Sequence, residues 1–284
     1  MKTKKPTFLN TALACGILLC LLSGCAITNG AIAPAQKNVA NLPEHFGFLA
    51  GYLERKDYPD SLALLPAPPS PGSAAFALDE DVARRTFALR GTARFTLALS
   101  DFDLSFPHAA GTFSCALNAP VTEQDTPRLY RLLRRSLTDV ALSPHAAKDH
   151  YNRQRPFTMN KEPICAPEKK AELEKDGSYP SGHTAIGWAW ALILTEISPY
   201  QADAILARGR AYGESRNVCN HHWYSDVEWG RLIGAATVAR LHANPAFRAD
   251  LEAARAELAA VRGKGINPIR DCSVEAAGLA LRPY

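Results

Sequence analysis

At 284 residues, with 47% apolar and 8% aromatic side chains, the chain has enough hydrophobic material for one large core or two small ones, which excludes a disordered polypeptide. Its formal charge is +4, and its arginines are scattered among acids with no platform of basic and aromatic residues, which excludes a nucleic-acid polymer as partner.

In chain order, Lys2, Lys4 and Lys5 precede an apolar stretch from Thr11 to Leu22, the layout of an export signal over residues 1–24 rather than a spanning helix. Its removal takes away three lysines and no acid, lowering the formal charge from +4 to +1. Leu22-Ser23-Gly24-Cys25 resembles the lipobox of bacterial lipoproteins, so Cys25 is the expected lipidated first residue; plain cleavage releasing a soluble chain is the alternative. The expected location is the periplasm or, through that lipid alone, the outer membrane. The longest later apolar run, Ala185 to Leu194, is half the ~20 residues that a spanning helix needs.

Residues 25–75 are rich in Pro, Ala, Gly and Ser, and the run Pro66-Ala67-Pro68-Pro69-Ser70-Pro71-Gly72 reads as an irregular tether or wrapping segment. A helical catalytic domain is expected over 76–262, followed by a C-terminal tail over 263–284. Its helix starts are marked by a capping residue before proline: Thr126-Pro127, Ser143-Pro144, Ser198-Pro199 and Asn244-Pro245. Apolar stripes at helical spacing follow, in Leu129, Leu132, Leu133 and Leu137, in Ala204, Ile205 and Ala211, and in Leu251, Ala254, Leu258 and Val261. Strand alternation is scarce, so the expected fold is all-α, a single-domain helical bundle with Ile186 to Ile197 as its central helix.

Outside the signal region four cysteines remain, Cys115, Cys165, Cys219 and Cys272. In an exported chain they suggest two disulfides. Three connectivities are open, with Cys115–Cys165 and Cys219–Cys272 taken as the working pair and four free thiols as the alternative. No Cys-x-x-Cys spacing suggests a zinc site.

Three clusters carry the chemistry. Lys148 and Arg155 are two helical turns apart if Ser143 to Arg155 is one helix, which Pro156 would end; a solvated basic face is the bland reading. Pro180-Ser181-Gly182-His183 opens the most apolar helix, where free N–H groups, the Ser181 hydroxyl and the permissive Gly182 suit an anion and place His183 beside it for proton transfer. His222 and Asp226 are four apart, so on a helix the carboxylate would fix the imidazole's tautomer, while Arg216 can fork onto two phosphoryl oxygens. A capping histidine and a structural His-Asp pair are the corresponding bland readings.

The pattern Lys-x6-Arg-Pro, Pro-Ser-Gly-His and Ser-Arg-x5-His-x3-Asp resembles the signature of the type 2 phosphatidic acid phosphatase and vanadium haloperoxidase superfamily. More closely, Gly177 to Thr184, Tyr151 to Phe157, Gly213-Glu214-Ser215-Arg216 and His222-Trp223-Tyr224-Ser225-Asp226-Val227 resemble bacterial class A non-specific acid phosphatases, over about residues 45–252. The resemblance implies a helical fold and a secreted acid phosphatase that hydrolyses small phosphate monoesters of broad range without metal or cofactor, possesses some capacity for phosphotransfer, and assembles as a homo-oligomer. It implies His222 as the nucleophile that becomes phosphohistidine, Asp226 as its orienting partner, and His183 as the acid and then the base. Lys148, Arg155, Ser181, Gly182 and Arg216 are the implied phosphate ligands. His221 departs from the pattern as a second imidazole, read as facing solvent unless it tunes pH dependence.

Three rivals stay open at this point, the first a non-enzymatic phosphate-binding lipoprotein, against which the presence of His183, His222 and Asp226 together argues, because binding needs no nucleophile. The same residues hold vanadate in the haloperoxidases. Asp101-Phe102-Asp103 also mimics the Asp-x-Asp start of magnesium-dependent phosphatases of another fold, which would make the chain a magnesium-dependent lipoprotein phosphatase; that fold needs strands alternating with helices.

Overall fold

A computed structural model describes residues 49–284; the export signal, Cys25 and the tether up to residue 48 lie outside the described residues. Within them the chain forms helices and no strand: α1 (Ser61–Leu64), α2 (Ala74–Thr86), α3 (Ala93–Ser100), α4 (Ser114–Leu117), α5 (Pro127–Leu142), α6 (His145–Tyr151), α7 (Pro156–Asn160), α8 (Lys170–Leu173), α9 (Gly182–Ile197), α10 (Ala202–Val218), α11 (Tyr224–His242), α12 (Pro245–Gly263) and α13 (Cys272–Leu279). The fold is all-α, as expected from the sequence. Its centre is α9, which starts where the Ser181 hydroxyl accepts from the Thr184 N–H and carries no charge before Glu196. A helix so apolar must be covered on every side, and α5, α10, α11 and α12 pack around it.

The stripes fill that core. Leu129, Leu132, Leu133 and Leu137 on α5 are wholly buried, each worth about 1.5–3 kcal/mol of hydrophobic stabilisation. Trp190 of α9 is buried among them, and its Nε1–H donates to the Leu133 carbonyl at 3.1 Å, so its one polar atom is satisfied. On α12, which Asn244 caps through the Ala246 and Phe247 amides, Leu251, Ala254, Leu258 and Val261 are buried. In the α10 stripe Ile205 and Ala211 are buried, whereas Ala204 is exposed.

The close crossing of α11 over the start of α9 needs glycine. A Cβ at Gly230 would stand 2.6 Å from the Ser181 carbonyl oxygen, and one at Gly234 2.5 Å from that of Ala185. These two glycines let the first turns of both helices meet, with the Ser181 N–H donating to the Asp226 carbonyl at 2.9 Å. One of the expected helices is corrected. The segment from Ser143 does not run to Arg155: α6 stops at Tyr151, Asn152 takes the left-handed φ of 37°, and Pro156 opens α7 instead of ending a helix. The residue before a proline avoids the helical region, so Arg155 is extended, at φ −77° and ψ 152°.

The disulfides are Cys115–Cys272 and Cys165–Cys219, with Cα separations of 5.5 and 4.8 Å, which corrects the working pairing. Tertiary packing chooses the partners. The segment before α13 folds back over residues 108–115, where Arg270 Nη2 donates to the His108 carbonyl at 2.8 Å. The loop after α7 lies along the end of α10, with Asn220 Nδ2 donating to the Glu162 carbonyl at 3.1 Å. Residues 263–284 are docked at their end as well, the Tyr284 hydroxyl donating to Asn217 Oδ1 at 3.1 Å. At the other end of the described chain, the Tyr52 and Leu53 amides donate to the buried Asp139 carboxylate at 2.8 and 3.0 Å.

Candidate active site

Four helix ends and the loops between them bring the three clusters to one cavity of 510 Å³. Lys148, Arg155, Gly182, His183, Arg216 and His222 line it together with Asp176 and the apolar Phe102, Leu104, Ala141 and Ile186. Lys148 is on α6, Arg155 caps α7, Gly182 and His183 open α9, Arg216 ends α10, and His222 precedes α11.

Arg155 is held from several sides. Its Nε donates to the Leu173 and Asp176 carbonyls at 2.8 and 3.0 Å, its Nη1 to the His221 carbonyl at 3.0 Å, and its Nη2 to Asp176 Oδ2 at 2.8 Å. Lys148 Nζ donates to the Gly177 carbonyl at 2.5 Å and to the same Asp176 oxygen at 3.0 Å. Burial pushes the Asp176 carboxyl up, but the charges of Lys148 and Arg155 outweigh it and hold the group below its usual range. Burial and the neighbouring Arg155 push Lys148 down to about 8. Asp176 bridges these two cations at the cavity rim, its side chain half exposed.

Arg216 differs. It is wholly buried, none of its three guanidinium nitrogens has a hydrogen-bond partner, and the Phe102 ring stands 5.1 Å from its Cζ. Burial pushes it down to about 9. A buried cation without acceptors costs several kcal/mol, and an anion in the adjoining cavity is the partner that would remove that cost.

His222 does not share a helical face with Asp226. It lies two residues before α11, and Asp226 is the third residue of that helix, whose Oδ2 reaches back to accept from the Trp223 N–H at 2.8 Å. The spacing of four places the pair close together because the chain turns into the helix between them. His222 Nδ1 is 3.4 Å from Asp226 Oδ2, an ion-pair distance longer than a hydrogen bond, and Ser178 donates its hydroxyl to the same oxygen. On the other side, Arg155 Nη1 is 3.0 Å from His222 Nε2. This network assigns the proton to Nδ1, facing the carboxylate, and the free electron pair to Nε2, facing Arg155. Burial, then Arg155 and Lys148, hold the imidazole well below the usual histidine range.

His183 is half-buried, and its Nε2 is 3.0 Å from the Phe102 carbonyl, which can only accept, so Nε2 carries the hydrogen and Nδ1 is left unengaged. Desolvation and Arg216 hold it, too, well below the usual histidine range. Ser181 is wholly buried and its oxygen receives the Thr184 N–H and hydroxyl. A Cβ on Gly182 would meet nothing nearer than Lys148 Cε at 4.0 Å, so the first turn of α9 opens onto free space beside a cation. The positive end of the helix adds to that field.

His221 is corrected: it does not face solvent. Its ring is wholly buried against Phe102 at 5.3 Å. The Asp-x-Asp rival loses its basis, because Asp101 is consumed by a buried ion pair with Arg208 and by the Ser215 hydroxyl at 2.6 Å, and the described residues contain no strand. Sequence reasoning missed the parts played by Phe102, Asp176 and Ser178. The last two stood beside the Pro180-Ser181-Gly182-His183 motif and were legible as its neighbours; Phe102 had no signal, since only folding lays it over His183.

With that geometry in place, comparison with known proteins is informative. The PAP2 superfamily pattern matches residues 133–249, which hold every cavity residue named by the sequence motifs. The chain is 41% identical to a non-specific acid phosphatase of Providencia stuartii over 82% of this chain and 92% of that one. It is 40% identical to an acid phosphatase of Zymomonas mobilis, over 74% and 79% of the two chains, and 40% identical to a non-specific acid phosphatase of Salmonella typhimurium, over 68% and 78%.

Proposed function

Because this chain belongs to the PAP2 superfamily, among its non-specific acid phosphatases of the class A type, and is an acid phosphatase, we propose that it hydrolyses a broad range of small phosphate monoesters through a phosphohistidine on His222, without a metal. One observation carries this reading: the Nε2 electron pair of a buried imidazole lies 3.0 Å from a guanidinium, at a cavity into which Lys148 and the unpartnered Arg216 also face. Fixed cations around a loose phosphoryl transition state supply the charge neutralisation that magnesium supplies elsewhere.

In the first step His222 Nε2 bonds to phosphorus, the bond from phosphorus to the ester oxygen breaks, and that oxygen takes a proton from protonated His183. Nδ1 is the ring nitrogen that delivers it, since Phe102 holds the other. In the second step His183 accepts a proton from water, the water oxygen bonds to phosphorus and the phosphorus–nitrogen bond breaks, returning both histidines to their starting forms. An alcohol in place of that water gives phosphotransfer. Lys148, Arg155, Arg216, Ser181 and the Gly182 amide hold the phosphoryl oxygens, and Asp226 stabilises the charge that develops on His222. The proposed setting is the periplasm, with the Cys25 lipid and a homo-oligomer as further parts of the reading.

The decisive assay is p-nitrophenyl phosphate hydrolysis at pH 5 to 7. His222→Ala is expected to lose at least about 10³-fold in kcat, acid-quenched wild type to carry phosphate on His222, and EDTA to leave the rate unchanged. Equal rates for variant and wild type would sink the nucleophile, and loss in EDTA restored by magnesium would sink the metal-free step.

A further inference from the structure

The carboxylate behind His222 is one end of a longer chain of charges. Asp79, wholly buried on α2, accepts the Ser225 amide at Oδ1 and the Ser225 hydroxyl at Oδ2, both at 2.7 Å. Its Oδ2 also accepts Arg153 Nη2 at 2.7 Å. The other arm of that guanidinium, Nη1, donates to Asp226 Oδ1 at 2.6 Å and to the Ser225 hydroxyl at 2.8 Å. The Phe76 and Trp223 rings stand 6.0 and 5.6 Å from Arg153 Cζ, and the Arg153 side chain is only 8% exposed. One cation is thus shared between two buried carboxylates, and Asp226 faces His222 with its other oxygen.

On the reading that His222 is the nucleophile, we infer that Asp79 and Arg153 are positioning residues for it, a charge balance that sets how much of Asp226's negative charge reaches the imidazole. Asp79, Arg153 and Asp226 together carry one net negative charge, in a dry region where each unit matters. Asp79 draws Arg153 partly away from Asp226, so that Asp226 keeps the charge to stabilise the Nδ1–H of His222 as Nε2 takes up phosphorus. The other groups facing His222 are Arg155, Lys148, Arg216 and His183, with His221 adjacent in the chain, and all of them oppose positive charge on the ring. Asp226 is the counterweight, and its strength is adjustable from α2.

The sign follows from charge counting. In Asp79→Asn the whole of Arg153 falls to Asp226, the local net charge becomes zero, and protonated His222 is less stable. The acid limb of kcat/KM, where the nucleophile must lose its proton, moves to lower pH, and kcat drops by about 10- to 100-fold because the same charge is missing in the phosphoryl transfer. In Arg153→Gln the local charge becomes more negative and the acid limb moves the opposite way, by roughly one pH unit. The pair Asp79→Asn/Arg153→Gln removes one charge of each sign, restores the balance and returns the limb towards wild type. A purely structural role lowers activity in each variant but gives neither opposite shifts nor a return in the pair.

The test measures kcat/KM for p-nitrophenyl phosphate from pH 4 to 8 on the full chain and these three variants, with near-ultraviolet circular dichroism to verify folding. Titration of the substrate itself is common to all of them. Wild-type phosphohistidine at position 222 is read first, by mass spectrometry, and its absence overturns the nucleophile and not the relay. With it present, limbs that stay put or all move the same way overturn the relay. Should Arg153→Gln not fold, Asp79→Asn against the double variant still decides: a lowered limb that returns supports the relay, and one that stays low overturns it.

Discussion

Arg216 brings a cation into a place where no protein acceptor meets it, and its charge reaches His183 and His222. Lys148 at about 8 and Arg216 at about 9 stay charged below neutrality, while the two imidazoles are neutral in the free site. Burial depresses the histidines first and the neighbouring cations depress them further; a bound dianion cancels that second part and so draws protons in. Sulfate, a dianion throughout this range, is therefore expected to bind with proton uptake and roughly tenfold more tightly at pH 5 than at pH 7. Titration calorimetry in buffers of different ionisation enthalpy reads both quantities, and an affinity that does not change with pH would count against the arrangement. The sign for stability is consistent: a histidine depressed in the fold lets the unfolded chain take up protons first, so unliganded protein loses stability as pH falls from about 6.5, and sulfate counters that loss. The His222 and Asp226 pair was legible from its spacing, although the turn into α11, where Asp226 accepts from the Trp223 amide, produces it rather than a helical face. The burial of His221 was not legible, because the Phe102 that covers it is more than a hundred residues away in the chain.

At the level of elements, the site depends on how closely α11 approaches α9. A Cβ on Gly230 would meet a backbone oxygen at 2.6 Å, and backbone cannot turn aside as a side chain can. Gly230→Ala is expected to push the Ser181 turn away from Asp226, costing about 1–3 kcal/mol of stability and lowering kcat as well. Gly263→Ala is the control: it adds its methyl to open space at the end of α12 and should leave activity intact with stability unchanged or slightly raised. Denaturant unfolding and a rate assay on both separate the two effects. The helices themselves were readable from apolar period, from Asn244-Pro245 and from the uncharged run of α9. The early end of α6 was not, since Pro156 signals only that Arg155 leaves the helical region, and nothing in residues 152–154 forbids a helix.

Across the whole molecule the two disulfides divide labour. Cys115–Cys272 joins residues 157 apart and fastens the last helix, which follows every cavity residue in the chain; Cys165–Cys219 holds the turn that leads from Arg216 to His222. Replacing Cys115 and Cys272 by serine is expected to lower stability by about 2–5 kcal/mol with little change in kcat. The same change at Cys165 and Cys219 should lower kcat too, because residues 219–222 lose their tether. Guanidinium unfolding beside the phosphatase assay checks this, and equal effects on kcat would refute the division. The amino-acid sequence by itself determined the helical class, the central helix and the motif residues that gather at one cavity, because helical period, capping and motif spacing are local properties of the chain. Which cysteines join, that α6 stops at Tyr151, that His221 is buried, and that Asp79 is linked through Arg153 to Asp226 were decided only by the tertiary structure. Each of these depends on contacts between segments far apart in sequence, and such contacts are selected by the packing of all the helices together.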